Sequence, residues 1–229
     1  VCGVVPSLLS QVAPEYYFKG ILTLKRGNTM SVLVGKKAPD FTVPAVLGNG
    51  IIEDNYSFSK ATQGKYALVF FYPLDFTFVC PSELIALDHR MDKFKALNVE
   101  VISVSVDSQY THFAWRNTPI EKGGIGAVKY TMAADVDHSI CKAYDVETQG
   151  GVALRGAFII DSSGIVRAAH INDLPLGRNI DELVRTIEAL QFHEAHGEVC
   201  PAGWNKGDKG MKASTEGVAA YLKDEAAKL

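Results

Sequence analysis

The sequence predicts an α/β sandwich, a central mixed sheet with helices on both faces, and three observations predict it. Residues 66–72 read Tyr-Ala-Leu-Val-Phe-Phe-Tyr, apolar on both faces and aromatic-rich, as suits a strand in the middle of a covered sheet. An amphipathic pattern over 81–97 and an apolar run over 99–106 follow, which together make a strand-helix-strand unit with parallel strands. Beyond residue 157, two short apolar runs and a helical pattern continue the alternation.

Taken in order, residues 37–41 read as a turn leading into short extended pieces broken by Gly48, Asn49 and Gly50. Pro73 ends the central strand, and residues 74–79 form a loop. The stretch 81–97 places Leu84, Leu87, Met91 and Phe94 three or four apart, with Glu83, Asp88, Arg90, Lys93 and Lys95 largely elsewhere, which predicts one helix packing on the sheet. Residues 110–117 predict a helix stopped before Pro119, and 123–126 a loop. Strands over 157–161 and 165–170 flank a Ser-Ser-Gly turn, and Ile180, Leu183, Val184, Ile187 and Leu190 mark one helix face. Past Phe192 the pattern weakens into a polar tail punctuated by Gly197, Pro201, Gly203, Gly207 and Gly210, ending in a short helix over 216–228. The tail's natural surface is a neighbouring subunit, with docking on its own chain as the alternative.

Composition narrows the function. With 229 residues, 47% hydrophobic and 21% charged, the chain suits one well-buried core plus a tail. A formal charge of −3 favours neither a nucleic-acid nor an anionic-membrane partner, and no apolar run approaches the roughly 20 residues that span a bilayer, so a soluble protein is expected. The four cysteines, Cys2, Cys80, Cys141 and Cys200, are too scattered for a disulfide-stapled domain. No CxxC or HExxH spacing points to zinc, although spacing says nothing of a site assembled in space. No metal or organic cofactor is expected. Residues 1–33 read as an N-terminal extension: a presequence, translated upstream sequence or a cloning remnant. The domain then covers 34–192 and the tail 193–229.

Cys80 stands between the central strand and the helix it feeds, in Pro73-Leu74-Asp75-Phe76-Thr77-Phe78-Val79-Cys80-Pro81-Ser82-Glu83. In the first turn of a helix, free backbone N–H groups and the positive dipole end favour thiolate over thiol. Pro81 fits an early helical position, and the Thr77 hydroxyl can reach the sulfur. On these residues alone a reactive thiol and a packing cysteine both remain open. Glu83 is equally a favourable acid in a first turn, and Arg178 a solvated loop charge.

Two segments narrow the choice. Residues 71–81, Phe-Tyr-Pro-Leu-Asp-Phe-Thr-Phe-Val-Cys-Pro, resemble the peroxidatic segment of the typical 2-Cys peroxiredoxins, and 197–204, Gly-Glu-Val-Cys-Pro-Ala-Gly-Trp, resemble their resolving segment. The resemblance runs from about Val34 to Leu229. It implies a thioredoxin-like fold and a thiol peroxidase that reduces hydrogen peroxide and small organic hydroperoxides. By that pattern Cys80 attacks the peroxide and becomes a sulfenic acid, Pro73 shields the pocket, and Thr77 orients the substrate. Arg155 stabilises the thiolate and the leaving oxygen, while Glu83 and Arg178 hold the arginine network in place.

The resemblance further implies that Cys200 of the other subunit resolves the sulfenic acid, with the tail packed on that partner. A thioredoxin-type dithiol reductant then recycles the disulfide. A homodimer assembling into a decamer is expected, with cytosol as the compartment unless residues 1–29 deliver the chain to an organelle. Gly123-Gly124-Ile125-Gly126 resembles the GGLG loop of overoxidation-prone members, whereas Tyr221-Leu222 stands where they carry Tyr-Phe, so moderate sensitivity is expected. Cys141 is expected to be a half-buried helical cysteine without catalytic duty, and Cys2 to be idle. The alternative from another class is a stress-dependent holdase chaperone. A disulfide oxidoreductase is disfavoured because Thr77 stands where a CxxC motif would need its first cysteine.

Overall fold

The computed structural model describes residues 32–228; expectations about the extension and Cys2 concern residues that lie outside or almost outside this range. Seven strands form one mixed sheet: β1 (Thr42–Val46), β2 (Ile52–Ser57), β3 (Tyr66–Phe71), β4 (Val99–Ser105), β5 (Thr131–Ala134), β6 (Arg155–Ile160) and β7 (Val166–Asn172). Their order is β2-β1-β5-β4-β3-β6-β7. β3 runs parallel to β4, and β4 to β5, while β3 with β6 and β6 with β7 are antiparallel.

β3 sits inside the sheet because both of its faces are covered. Leu68, Phe70 and Tyr72 join one core with Leu84, Leu87, Phe94, Ile180, Leu183 and Ile187. Ala67, Val69 and Phe71 join the other with Phe58, Ile140 and Tyr144. This is the two-residue period of a strand filling both layers at once. At roughly 1.5–3 kcal/mol for each large side chain fully buried, β3 and its neighbours anchor the molecule. The helices α1 (Phe58–Ala61), α2 (Cys80–Asp88), α3 (Met91–Ala96), α4 (Gln109–Asn117), α5 (Ser139–Ala143) and α6 (Ile180–His196) complete the layers.

Two expectations change. The helix predicted over 81–97 is two helices, α2 and α3, although all four apolar positions are buried as the pattern required. The last turn of α2 tightens, with Arg90 N–H donating to Leu87 O, three residues back. Asp88 is drawn to the Lys129 N–H and Arg90 to Asp181, so each side of the break is tied to a different element. Cys141 is fully buried on α5 rather than half-buried, at 1% exposure. β5 had no clear strand signature, being a short Thr-Met-Ala-Ala run, and is a strand because β4 and β1 pair with it.

α6 continues to His196 and closes on Gly197, whose φ of +69° is the left-handed cap that glycine reaches without strain. The final helix, α7 (Thr215–Glu225), has no fully buried residue. Eleven residues is below the roughly 12–15 at which an isolated helix becomes even marginal in water, so its own packing does little to hold it.

Candidate active site

The site is built where β3, β6 and the loop after β7 meet the N-terminal end of α2. Cys80 is the first residue of α2, Pro81 follows it, and the sulfur-bearing side chain is fully buried, at 0% exposure. Pro73 is buried at the end of β3. The Thr77 hydroxyl lies 2.9 Å from Cys80 Sγ and 2.8 Å from Leu74 O. A single hydroxyl hydrogen serves both states of the sulfur. Toward a thiol, Thr77 can accept from S–H while donating to Leu74 O; toward a thiolate it can turn and donate to sulfur.

Arg155, the first residue of β6, brings positive charge to the same sulfur. Its Nη1 lies 3.5 Å from Cys80 Sγ and 2.6 Å from Glu83 Oε2, and its Nε donates to Leu174 O at 2.6 Å. Glu83, one turn along α2 from Cys80, is clamped by a second arginine. Arg178 donates to it from the backbone N–H at 2.7 Å and from Nε at 2.9 Å, with Nη2 at 3.1 Å from the other oxygen. Arg178 Nη1 donates to Gly156 O at 2.7 Å, and its guanidinium lies 3.4 Å from the Phe70 ring centroid. The side chain is 2% exposed, so the reading of Arg178 as a solvated charge is corrected.

Burial alone would push the Glu83 carboxyl up. The hydrogen bonds and charge of Arg178, with Arg155 behind them, outweigh it and hold the group below its ordinary value. Burial pulls Arg178 down, and Glu83 offsets part of that. Gly177 suits the close approach of this loop to α2. A Cβ there would stand 3.3 Å from Val79 Cγ1 and 3.8 Å from Glu83 Cγ. The structure thus brings Cys80, Thr77, Arg155, Glu83, Arg178 and Pro73 to one place.

A second, supporting network was not legible in the sequence. Asp75, in the loop ahead of Cys80, accepts from Tyr72 OH at 2.7 Å and lies 2.8 Å from His112 Nδ1 on α4, all of them buried. The Asp75 N–H donates to Asp107 at 2.9 Å. Burial and the neighbouring Asp75 raise the Asp107 carboxyl. This network pins a loop that includes Phe76 in the left-handed region, at φ +54°, an unfavourable conformation for a bulky residue. Asp75 and His112 are 37 residues apart and match no motif, so only the fold joins them.

Cys200 is elsewhere. Its sulfur is 3.3 Å from Ala189 O, nine residues past the start of α6 and so roughly 14 Å of helical rise from the end near Glu83 and Arg178. Burial raises its thiol, with Arg185 opposing the rise. Val199 pairs with Met211, and Arg185 donates to Trp204 O at 2.7 Å, so the Cys200 segment is fastened to α6 of its own chain. Tyr221 lines a cavity of about 650 Å³ with Trp204, Asp208 and Glu225. Leu222 is exposed.

Comparison with known proteins identifies the family. The AhpC/TSA family model matches residues 34–169, and a model described as the C-terminal domain of 1-Cys peroxiredoxin matches residues 189–224. The chain is 56% identical over 198 residues to an alkyl hydroperoxide reductase C of Helicobacter pylori, covering 86% of this chain and 100% of that one. It is 48% identical over 190 residues to a peroxiredoxin-2 of Cricetulus griseus, covering 82% and 94%. A crystal structure of reduced 2-Cys peroxiredoxin from Plasmodium vivax is similar at a TM-score of 0.82 and 49% identity, covering 84% of this chain and 100% of that one.

Proposed function

The chain belongs to the AhpC/TSA family, is a thiol peroxidase of the 2-Cys peroxiredoxin type, and from that premise we propose how its residues divide the work. The observation that carries the reading is Cys80 at a helix N-terminus, with a hydroxyl at 2.9 Å and a buried guanidinium at 3.5 Å.

A hydroperoxide offers almost no surface to bind, so the rate must come from charge placement and orientation. The Cys80 thiolate attacks the terminal oxygen. A sulfur–oxygen bond forms, the oxygen–oxygen bond breaks, and the departing alkoxide or hydroxide leaves as alcohol or water once protonated. Arg155 holds the negative charge as it moves from sulfur to the leaving oxygen, Thr77 turns its hydroxyl to the substrate, and Pro73 keeps water out. Glu83 and Arg178 are positioning residues that hold Arg155 at the sulfur. Because Cys80 is fully enclosed, substrate enters when the 74–79 loop or the first turn of α2 opens.

Cys200 is proposed as the resolving thiol. Its thiolate attacks the sulfenic sulfur of Cys80, the sulfur–sulfur bond forms, and the hydroxyl leaves as water. A disulfide needs Cα atoms within about 7 Å, and the separation along α6 disfavours a bond within one chain. A Cys200 from a second copy, in a tail whose last helix, α7, has no fully buried residue on its own chain, is the reading these facts support. β7 lies at an edge of the sheet, paired with residues 35–37 only at its start and with Ile171 45% exposed, so a second copy can add along the rest of the strand. A homodimer, its assembly into a decamer, and a tail unit over 193–229 apart from a 34–192 domain belong to the same proposal. A thioredoxin-type dithiol protein then reduces the disulfide by exchange.

The raised Cys200 thiol gives this scheme a pH signature. Its folded value lies above the ordinary thiol value, so below that value each unit of pH multiplies the attacking thiolate about tenfold. Disulfide closure, followed by rapid quench after a single addition of peroxide, is therefore expected to accelerate steadily between about pH 6 and pH 9. A closure rate independent of pH would show that attack by the Cys200 thiolate does not limit closure. Turnover is tested by peroxide-dependent oxidation of a reduced thioredoxin-type protein, with Cys200→Ser expected to lose turnover and keep the first oxidation of Cys80.

A further inference from the structure

On the face of the sheet opposite Cys80, His138, Cys141 and Glu147 each offer a ligand atom within 4.8 Å of the others. We propose that these three side chains form a binding site for one divalent cation of zinc type, with water completing the coordination. The donor set is imidazole nitrogen, thiolate sulfur and carboxylate oxygen, which zinc accepts together and which the hard cations calcium and magnesium do not favour. Three protein ligands with an open fourth position are enough for a tetrahedral ion.

The scaffold holds the donors in place before any ion arrives. His138 sits in the left-handed region at φ +63°, rare for a residue with a side chain, and begins α5 as its N-cap. Asp135 fixes the next turn, accepting from Ile140 N–H at 2.9 Å and from Cys141 N–H at 2.8 Å. Glu147 is carried by the strand-like pairing of 147 with 153, and its Oε1 lies 2.6 Å from His138 Nδ1. The His138 and Glu147 side chains are 29% and 24% exposed, which leaves an approach from solvent, while Cys141 closes the inner side.

Binding releases one proton, breaks the 2.6 Å hydrogen bond between His138 Nδ1 and Glu147 Oε1 so that each can turn to the ion, and displaces one weak partner. The sulfur–metal bond forms as the Cys141 thiol gives its proton to solvent, so the site gains one positive charge overall. That proton is held firmly, because burial and the charge of Asp135 push the thiol up to about 12. The ion must therefore outcompete a tightly held proton, and Asp135 and Glu147 supply the negative charge that favours it. Lys142, whose ammonium is 3.9 Å from Glu147 Oε1 and 60% exposed, can swing into water. The H-x-x-C spacing at 138 and 141 is too common to single out in a sequence, and Glu147 completes the set only through the fold.

The position gives the ion a consequence. Glu147 and Ala153 bracket the turn that runs directly into Arg155, the residue whose guanidinium faces Cys80. An ion tying Glu147 to α5 would fasten that turn, slowing the opening of the backbone between 147 and 155.

The test titrates the reduced full chain with cobalt(II), whose thiolate charge-transfer absorption reports sulfur ligation, followed by competition with zinc(II). The expected result is one site per chain whose charge-transfer band survives Cys80→Ser and Cys200→Ser and is lost in Cys141→Ser. Glu147→Gln, at a partly exposed position that keeps a hydrogen bond to His138, is expected to weaken zinc binding by more than the roughly 10–100-fold that loss of a merely supporting residue brings. Zinc is also expected to slow amide exchange over residues 147–155 in the native chain and not in Glu147→Gln. A band that persists in Cys141→Ser, or unchanged affinity in a folded Glu147→Gln chain, overturns the site. Neither outcome touches the peroxidase assignment, because Cys80 oxidation is not the readout.

Discussion

Replacing Arg155 with Met is expected to slow the oxidation of Cys80 by hydrogen peroxide by about 10²–10³-fold, the loss typical of removing one preorganised donor to developing charge. The substrate has no binding group through which to recover this. Arg155→Lys is expected to fall between the two, because it keeps a charge but cannot reach Cys80 Sγ, Glu83 and Leu174 O from one planar fork. Stopped-flow mixing of reduced chain with peroxide, quenched and read as Cys80 sulfenic acid, measures both variants. A rate within threefold of the native chain for Arg155→Met would show that the guanidinium does not act on the reacting atoms.

Glu83→Gln is expected to be the most damaging substitution to stability, at about 3–5 kcal/mol, because it leaves two buried guanidinium groups facing an amide. The pH dependence follows from the sign of the shift. The Glu83 carboxyl is held below its ordinary value when folded, so its contribution is fully present above the unfolded value of about 4.3 and is lost as pH falls through the folded one. The gap in Tm between native chain and variant should be large at neutral pH and shrink in acid below about pH 4. A gap of the same size at both ends would mean that ionised Glu83 does not hold the two arginines. Peroxide oxidation should also slow in the variant, since Arg155 loses its 2.6 Å tether.

Where the site is carried by contiguous residues, its local structure could be read from the sequence, while the reactivity of Cys80 was implied by the resemblance of residues 71–81 and 197–204 to peroxiredoxin segments. The segment around Cys80 is a strand, a loop and a helix start, and each has a local signature: the doubly apolar 66–72 run, Pro73, and Pro81 beside a first-turn acid. The arrangement of α/β layers follows from the same periodicities. The break between α2 and α3 could not be read, because Leu84, Leu87, Met91 and Phe94 keep the same spacing whether or not the backbone turns between them. Only contacts to Lys129 and Asp181 reveal it.

Pairs far apart in sequence are hidden for a similar reason. A reading of residues alone could not separate a solvated Arg178 from a buried one, since the difference lies in Glu83, Phe70 and Gly156, on three different elements distant in the chain. The Tyr72-Asp75-His112 network and the His138-Cys141-Glu147 cluster are further cases. Their side chains are ordinary and their meaning arises from adjacency.

The division of labour between Cys80 and Cys200 is tested most directly by adding one equivalent of hydrogen peroxide to the fully reduced protein, followed by non-reducing mass analysis and peptide mapping. A parallel sample mixes subunits carrying Cys80→Ser with subunits carrying Cys200→Ser. The proposed mechanism predicts a rapid Cys80–Cys200 bond joining two chains, formed in the mixture as well as in the native protein. Folded protein in which Cys80 stays reduced, or an oxidised Cys80 that never bonds to Cys200 of another chain, would contradict it.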